Sequence, residues 1–170
     1  MKKSRYMSKL LRHNSEDLNI DNSGYVIVSE LLDKLDITIN DLDYIVDNND
    51  KKRFAYNNDK TKIRASQGHN NKMNVSITMK EADRVEVLYH GTATKNVTSI
   101  LKSGLLPHSR KHVHMSKDLE TARKVALRHS KDITIFTINT AKMRADGVKI
   151  YISDNNVYLT DKVETKYLNI

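Results

Sequence analysis

The chain has 170 residues, a net charge of +8 and no cysteine. That length suits one ordinary domain or two small lobes sharing a cleft, and the basic excess (pI about 9.5) points to a polyanionic partner, nucleic acid first. Thiol catalysis, disulfides and thiolate metal sites are excluded, and no segment approaches the roughly 18 apolar residues of a membrane helix, so a soluble, cytoplasmic protein is expected.

In chain order, "SRYMSKLLRH" (4–13) predicts a helix capped by Ser4, with Met7, Leu10 and Leu11 on one face. "DNSGYVIV" predicts a turn at Gly24 and then a strand. "SELLDKLD" predicts a helix capped by Ser29, and "NDLDYIVDNN" one with Asn40 and Asp43 at capping-box spacing. "KRFAY" and "TKIRA", separated by "NNDK", read as a hairpin. Helices followed by a short hairpin suggest a winged-helix lobe. Residues 71–86 are polar and aperiodic and mark the domain boundary, giving lobes 1–78 and 79–170.

The second half reads as strand-rich α+β. "VEVLYHG" predicts a strand ending at Gly91. "TKNVTSILKSG" predicts a helix with Thr94 as cap, Val97, Ile100 and Leu101 inward, and Gly104 just past its end. A short strand "KHVHMS" and a helix "DLETARKVALRH" follow, then strands "ITIFTI", "VKIYIS" and "NVYLT".

Four stretches carry chemistry-bearing side chains. In "LLRH", Arg12 and His13 end a helix, either as cations favoured by the dipole or as part of a site. In "IRASQGHN", strand alternation puts Lys62 and Arg64 on one face, and a turn around Gly68 brings Gln67 and His69 near it; a solvated turn is the alternative. In "LYHGT", His90 and Gly91 place an imidazole where backbone approaches closely, or simply bury a hydrogen-bonded histidine. In "RKHVHMS", alternation puts Arg110, His112 and His114 on one face. Two histidines at i and i+2 suit zinc, but zinc needs a third protein ligand, and an arginine on that face repels the cation, so no metal is expected.

In order and spacing these pieces resemble the RNA 2′-phosphotransferase family of the KptA type, which removes a splice-junction 2′-phosphate from tRNA. Its motifs are matched by "LLRH", "GYV" (Gly24 to Val26), "RF" at Arg53, "IRASQGHN", "LYHGT", "ILKSGL", "RKHVHMS", "ARKVALRH" and "NNVYLTDKVETKYL", nearly the whole chain. Departures are Asn70 for the usual Ser, Asn156 for a Gly, Tyr25 and Tyr158 for Trp, Ala126 where Gly is common, and "VET" for "VPP".

The resemblance implies a winged-helix RNA-binding lobe (1–78) joined to an ADP-ribosyltransferase-like lobe (79–170), with NAD⁺ consumed as co-substrate and RNA carrying a 2′-phosphate as partner. It implies a monomer without membrane contact. The 2′-phosphate attacks the NAD⁺ ribose carbon that bears nicotinamide, and the neighbouring 2″-hydroxyl then attacks phosphorus. 2′-Hydroxyl RNA and ADP-ribose 1″,2″-cyclic phosphate result. A phosphate monoester carries about −1.5 to −2 charge and needs no base. It needs a grip, which arginine forks supply. By resemblance that grip is Arg12, His13, Arg64 and Arg110, with Gln67, His69 and Asn70 as further phosphate contacts. His90, Gly91, Thr92, His114, Ser116 and Val157 line the NAD⁺ site, His90, His114 and Val157 standing at the superfamily's three-position signature. The alternatives are an ADP-ribosyltransferase capping terminal phosphates of RNA or DNA, and a non-catalytic RNA-binding module.

Overall fold

The computed structural model describes residues 2–13, 17–49, 51–82 and 84–170. They form a mixed α+β chain that divides into two compact units, Met1–Thr78 and Met79–Ile170.

The first unit runs α1 (Lys2–His13), β1 (Tyr25–Ile27), α2 (Val28–Leu35), α3 (Ile39–Asp47), β2 (Phe54–Tyr56) and β3 (Lys62–Ala65). The antiparallel sheet has the order β1-β3-β2, so the expected β2–β3 hairpin forms and β1 joins its outer side. Met7, Leu10 and Leu11 are fully buried with Val26, Leu31 and Ile63, each burial contributing about 1.5–3 kcal/mol. This apolar stripe packs α1 into the unit, and Ser4 lies inside its first turn and not at the end, correcting the expected cap.

Two other caps also differ. α2 leaves β1 directly, with Ile27 at its N-cap position and no side-chain cap bond. The Val28 N–H donates to the Thr61 carbonyl instead (2.9 Å), because the neighbouring strand is in reach, and Ser29 is not the cap. α3 is capped by Thr38, whose hydroxyl accepts from Asp41 N (3.2 Å) while Asp41 accepts from Thr38 N (3.0 Å). The capping box therefore sits two residues before the Asn40/Asp43 pair read from spacing.

The second unit runs β4 (Lys80–Glu81), β5 (Val87–Ala93), a 3₁₀ turn (Thr94–Asn96), α4 (Val97–Ser103), β6 (Val113–Met115), α5 (Leu119–Ala126), β7 (Ile133–Asn139), α6 (Thr140–Ala145), β8 (Tyr151–Ile152), β9 (Tyr158–Thr160) and β10 (Leu168–Asn169). Two antiparallel sheets result, β10-β7-β5 and β4-β8-β9-β6. β5 and β7 pair along seven residues, from Val87↔Asn139 to Ala93↔Ile133. The sheets are joined where Tyr89 N donates to Ser116 O (2.9 Å) and Ser116 N returns to Tyr89 O (2.8 Å).

β5 runs on through Gly91 to Ala93, so Gly91 is a mid-strand residue, not a strand end. Its glycine has a packing reason: a Cβ there would lie 2.2 Å from the Ala122 carbonyl oxygen and 2.9 Å from Ala126 Cβ. α5 thus rests directly on the strand, through two alanines with no exposed surface. α4 is shorter than expected because Thr94–Asn96 form a separate turn. Only Val97 and Ile100 pack against the core, and Leu101 is 49% exposed, contrary to its expected inward position.

Adding one methyl group at Gly91 overpacks a backbone contact, which ordinarily costs about 1–3 kcal/mol. At Gly147, with φ +79°, a Cβ would have no neighbour within 4 Å, so a methyl group there carries only left-handed backbone strain. Gly91→Ala is therefore expected to lower the thermal midpoint by more than Gly147→Ala; equal shifts in a calorimetric scan would contradict the tight β5–α5 contact.

Candidate functional site

Each unit presents its own group of sequence-predicted residues. In the first, the end of α1 is tied to the "IRASQGHN" turn. The Asn70 N–H donates to the Arg12 carbonyl oxygen at 2.8 Å, satisfying one of the carbonyls that a helix C-terminus leaves open. Ser66 anchors the other end of the turn, its N–H on Arg53 O and its hydroxyl on Lys52 O, both at 2.8 Å. Between them Gly68 adopts φ +85°, the left-handed conformation that favours glycine.

This brings Arg12, His13 and the 66–70 turn to one end of α1. Arg12 is 8% exposed and sits with His13 in the last helical turn, where the helix dipole favours positive charge. His13 is exposed and Gln67 half-buried. His69 is 4% exposed, and a Cβ on Gly24 would lie 3.2 Å from its Nε2. The ring thus packs on a glycine whose φ is +82°, inside the unit. The Asn70 side chain accepts from Lys72 N (2.9 Å), closing a local turn.

Arg64 on β3 stands opposite Tyr25 on β1, and its guanidinium carbon lies 4.7 Å from the Tyr25 ring centroid. Its Nη1 donates to the Ser23 carbonyl at 3.3 Å. Stacking and a carbonyl hold the planar group in one orientation, which suits bidentate recognition of an anion. Tyr25 was missed as a site residue, although the alternation that placed Arg64 also places its cross-strand neighbour.

In the second unit, His90 lies on β5 and His114 on β6. His90 Nδ1 is 2.9 Å from the His114 carbonyl oxygen, and His114 Nδ1 is 3.0 Å from the His112 carbonyl oxygen. A carbonyl only accepts, so each Nδ1 carries the proton, and a neutral ring then presents Nε2 as an acceptor. Burial pushes the His90 pKa below its ordinary 6.5, outweighing the opposite pull of the His114 bond. Below that ordinary value the unfolded chain gains a proton that native His90 refuses, so this histidine withdraws stability as the pH falls.

Thr92 is buried, its hydroxyl accepting from Asn96 Nδ2 at 3.1 Å. Ser116 is held by its paired bonds to Tyr89. Val157 is presented by a tight turn in which its N–H donates to Ser153 Oγ (3.1 Å) and its carbonyl accepts from Ser153 N (3.0 Å). Asn156 takes φ +59° in that turn, a conformation asparagine tolerates and glycine favours. Neither Asn96 nor Ser153 carries a sequence signal of its own.

Strand β6 covers only Val113–Met115, so the expected alternation does not reach Arg110 or His112. Arg110 N donates to Pro107 O (2.9 Å), and burial pushes its guanidinium below the ordinary value without discharging it. His112 Nε2 lies 3.7 Å from Asp161 Oδ1, its ring makes a T-shaped contact with Tyr151, and burial pushes its pKa down. Among the described residues no three His, Asp or Glu side chains form a metal-holding group.

The sequence profile described as RNA 2′-phosphotransferase, Tpt1 / KptA family, matches residues 1–162. A Flavobacterium johnsoniae protein named "Probable RNA 2′-phosphotransferase" is 49% identical, over 97% of this chain and 93% of its own length. Proteins of the same name from Trichormus variabilis and Fusobacterium nucleatum are 45% and 42% identical. The first alignment covers 100% of this chain and 96% of the relative, the second 99% and 97%.

Nitrogen-15 NMR of the imidazoles checks the electrostatics. His90 is expected as the Nδ1–H tautomer near neutral pH, titrating below 6.5. A protonated Nε2 in the neutral ring, or a midpoint above that value, would contradict the assignment.

Proposed function

The chain belongs to the RNA 2′-phosphotransferase, Tpt1 / KptA family, and we propose that it transfers an internal RNA 2′-phosphate, of the kind left at a tRNA splice junction, to NAD⁺. The products are 2′-hydroxyl RNA, ADP-ribose 1″,2″-cyclic phosphate and nicotinamide. The observation that carries the reading is the His90–His114 carbonyl bond, which makes His90 Nε2 a neutral acceptor. Such an atom suits the hydroxyl and carboxamide donors of NAD⁺.

NAD⁺ supplies an electrophilic ribose carbon, a leaving group and an adjacent hydroxyl. His90, Gly91, Thr92, His114 and Ser116 hold it, and Val157 provides an apolar wall. A carboxylate at Val157 would serve to deprotonate a neutral nucleophile; a phosphate is already anionic and needs none. Arg12, Arg64 and Arg110 are assigned to that phosphate by their motif positions. Their forks strip it of water, orient it, and stabilise the charge that grows on phosphorus oxygens. His13, exposed at the end of α1, donates a proton or a hydrogen bond as the RNA oxygen leaves. Gln67, His69 and Asn70 shape the turn beside Arg12, and buried His69 acts through that shape. α1 to α3 with a three-stranded sheet support a winged-helix reading of the first unit, and the two antiparallel sheets support an ADP-ribosyltransferase-like reading of the second.

The test is incubation with RNA bearing one internal 2′-phosphate, with and without NAD⁺. Dephosphorylated RNA and the cyclic product are expected only with NAD⁺; turnover without it, or none with it, overturns the reading. Arg64→Ala is expected to lower kcat by about 10²–10³-fold, as for loss of one transition-state donor. Arg64→Lys is expected to recover only part, since a point charge lacks the fork; full activity in the lysine variant would remove the bidentate role.

A further inference from the structure

Charge is unevenly spread over the chain. On the winged-helix reading of the first unit, α3, with α2 before it, corresponds to the helix that ordinarily enters a nucleic-acid groove. Here it carries Asp41, Asp43 and Asp47 and no lysine or arginine. Asp43 lies 3.7 Å from Lys60 Nζ and Asp41 is held in the Thr38 cap, so the helix itself offers a phosphate backbone no cation.

The opposite pattern occurs in the second unit. α5 turns Ala122 and Ala126 onto β5, so Arg123 and Lys124 fall on its outer side, and Leu127 and Arg128 follow in the turn that ends it, all exposed. Exposed Lys131 follows in the passage to β7. Lys124 is paired with Glu120 one turn earlier. Among the described residues no ion pair joins Arg123, Arg128 or Lys131 to a carboxylate. The nearby acids are committed: Asp118 caps α5 through Thr121, and Asp132 accepts from the Thr94 hydroxyl at 2.7 Å. Thr94 N also donates to Asp132 O (3.1 Å), which brings the turn bearing Lys95 beside this passage. Leu127, 48% exposed, sits among these cations.

We propose that this outer face of α5, continued through Lys131, is a docking surface for RNA. It binds backbone phosphates of the substrate away from the reacting one, and Leu127 covers sugar or base between the guanidinium groups. The inference rests on the reading of the chain as an enzyme acting on RNA. Phosphates are recognised by arginine forks and release condensed counterions on binding, so the surface adds affinity without touching the chemistry.

The test compares the wild-type chain, the triple variant Arg123→Ala/Arg128→Ala/Lys131→Ala, the single variant Arg128→Gln and, on α3, Asp47→Lys, with circular dichroism to confirm folding. For the triple variant the KM for 2′-phosphorylated RNA is expected to rise about tenfold at about 0.1 M salt, and the log–log salt slope of RNA binding to fall by about 2. Its kcat and its KM for NAD⁺ are expected to stay at wild-type values. Arg128→Gln should remove about a third of the slope change, and Asp47→Lys should leave RNA binding unchanged. An unaltered RNA KM and slope in the triple variant would make the face a solvated one and overturn the proposal. So would tighter RNA binding by Asp47→Lys alone, which would put the RNA on α3. Failure of the wild-type chain to process RNA with NAD⁺ would instead remove the parent reading, and the proposal with it.

Discussion

A carbonyl oxygen accepts and never donates, and that asymmetry at His114 sets the character of the second unit. Because the His90 Nδ1 proton is committed to it, the other ring nitrogen presents a lone pair, and burial keeps the ring uncharged. The contact exists only if β5 and β6 hold one register. The paired backbone bonds between Tyr89 and Ser116 supply that register. β5 is fixed from its other edge by β7 and from one face by α5, which approaches so closely that position 91 has room only for glycine. Ala126, where the family commonly has glycine, is accommodated because Gly91 leaves the space its methyl group fills.

The first unit solves a different problem, holding planar guanidinium groups in a fixed orientation. Arg64 lies across Tyr25 and reaches one carbonyl, neither of which neutralises it. Arg12 is buried at the negative end of α1. Lysine fits neither arrangement as well, being a strongly hydrated point charge without a plane to stack. The tyrosine here stands where the family has tryptophan, and either ring offers the face this geometry uses.

Legibility in the sequence followed the size of the local signal. The β2–β3 hairpin, the long strands β5 and β7 and the apolar stripe of α1 announced themselves through period and turn residues. Caps did not: Thr38/Asp41 and Asn40/Asp43 have the same spacing, and which pair closes depends on where the helix packs. β4 and β10 are two residues long and α6 six, too short for a period to show. The site stretches were readable as motifs, but their physical reasons were not. The glycine of "YHG" read as a point of close backbone approach without saying which backbone, and the structure shows it to be that of α5. His69, expected near the polar face of β3, has its ring buried against Gly24. Both placements depend on long-range neighbours that local alternation does not encode.

The bond from Asn70 to the end of α1 uses main-chain atoms, so the tether is indifferent to which side chain stands there. Within the turn the side chain at position 70 supplies an oxygen that accepts from Lys72 N, a task that serine hydroxyls and asparagine amides share in closing small turns. The exchange of serine for asparagine at this site is therefore a synonym in the language of the fold. A change of side chain at position 70 leaves the tether on Arg12 in place, while Gly68, two residues earlier, keeps a left-handed backbone that a Cβ would strain.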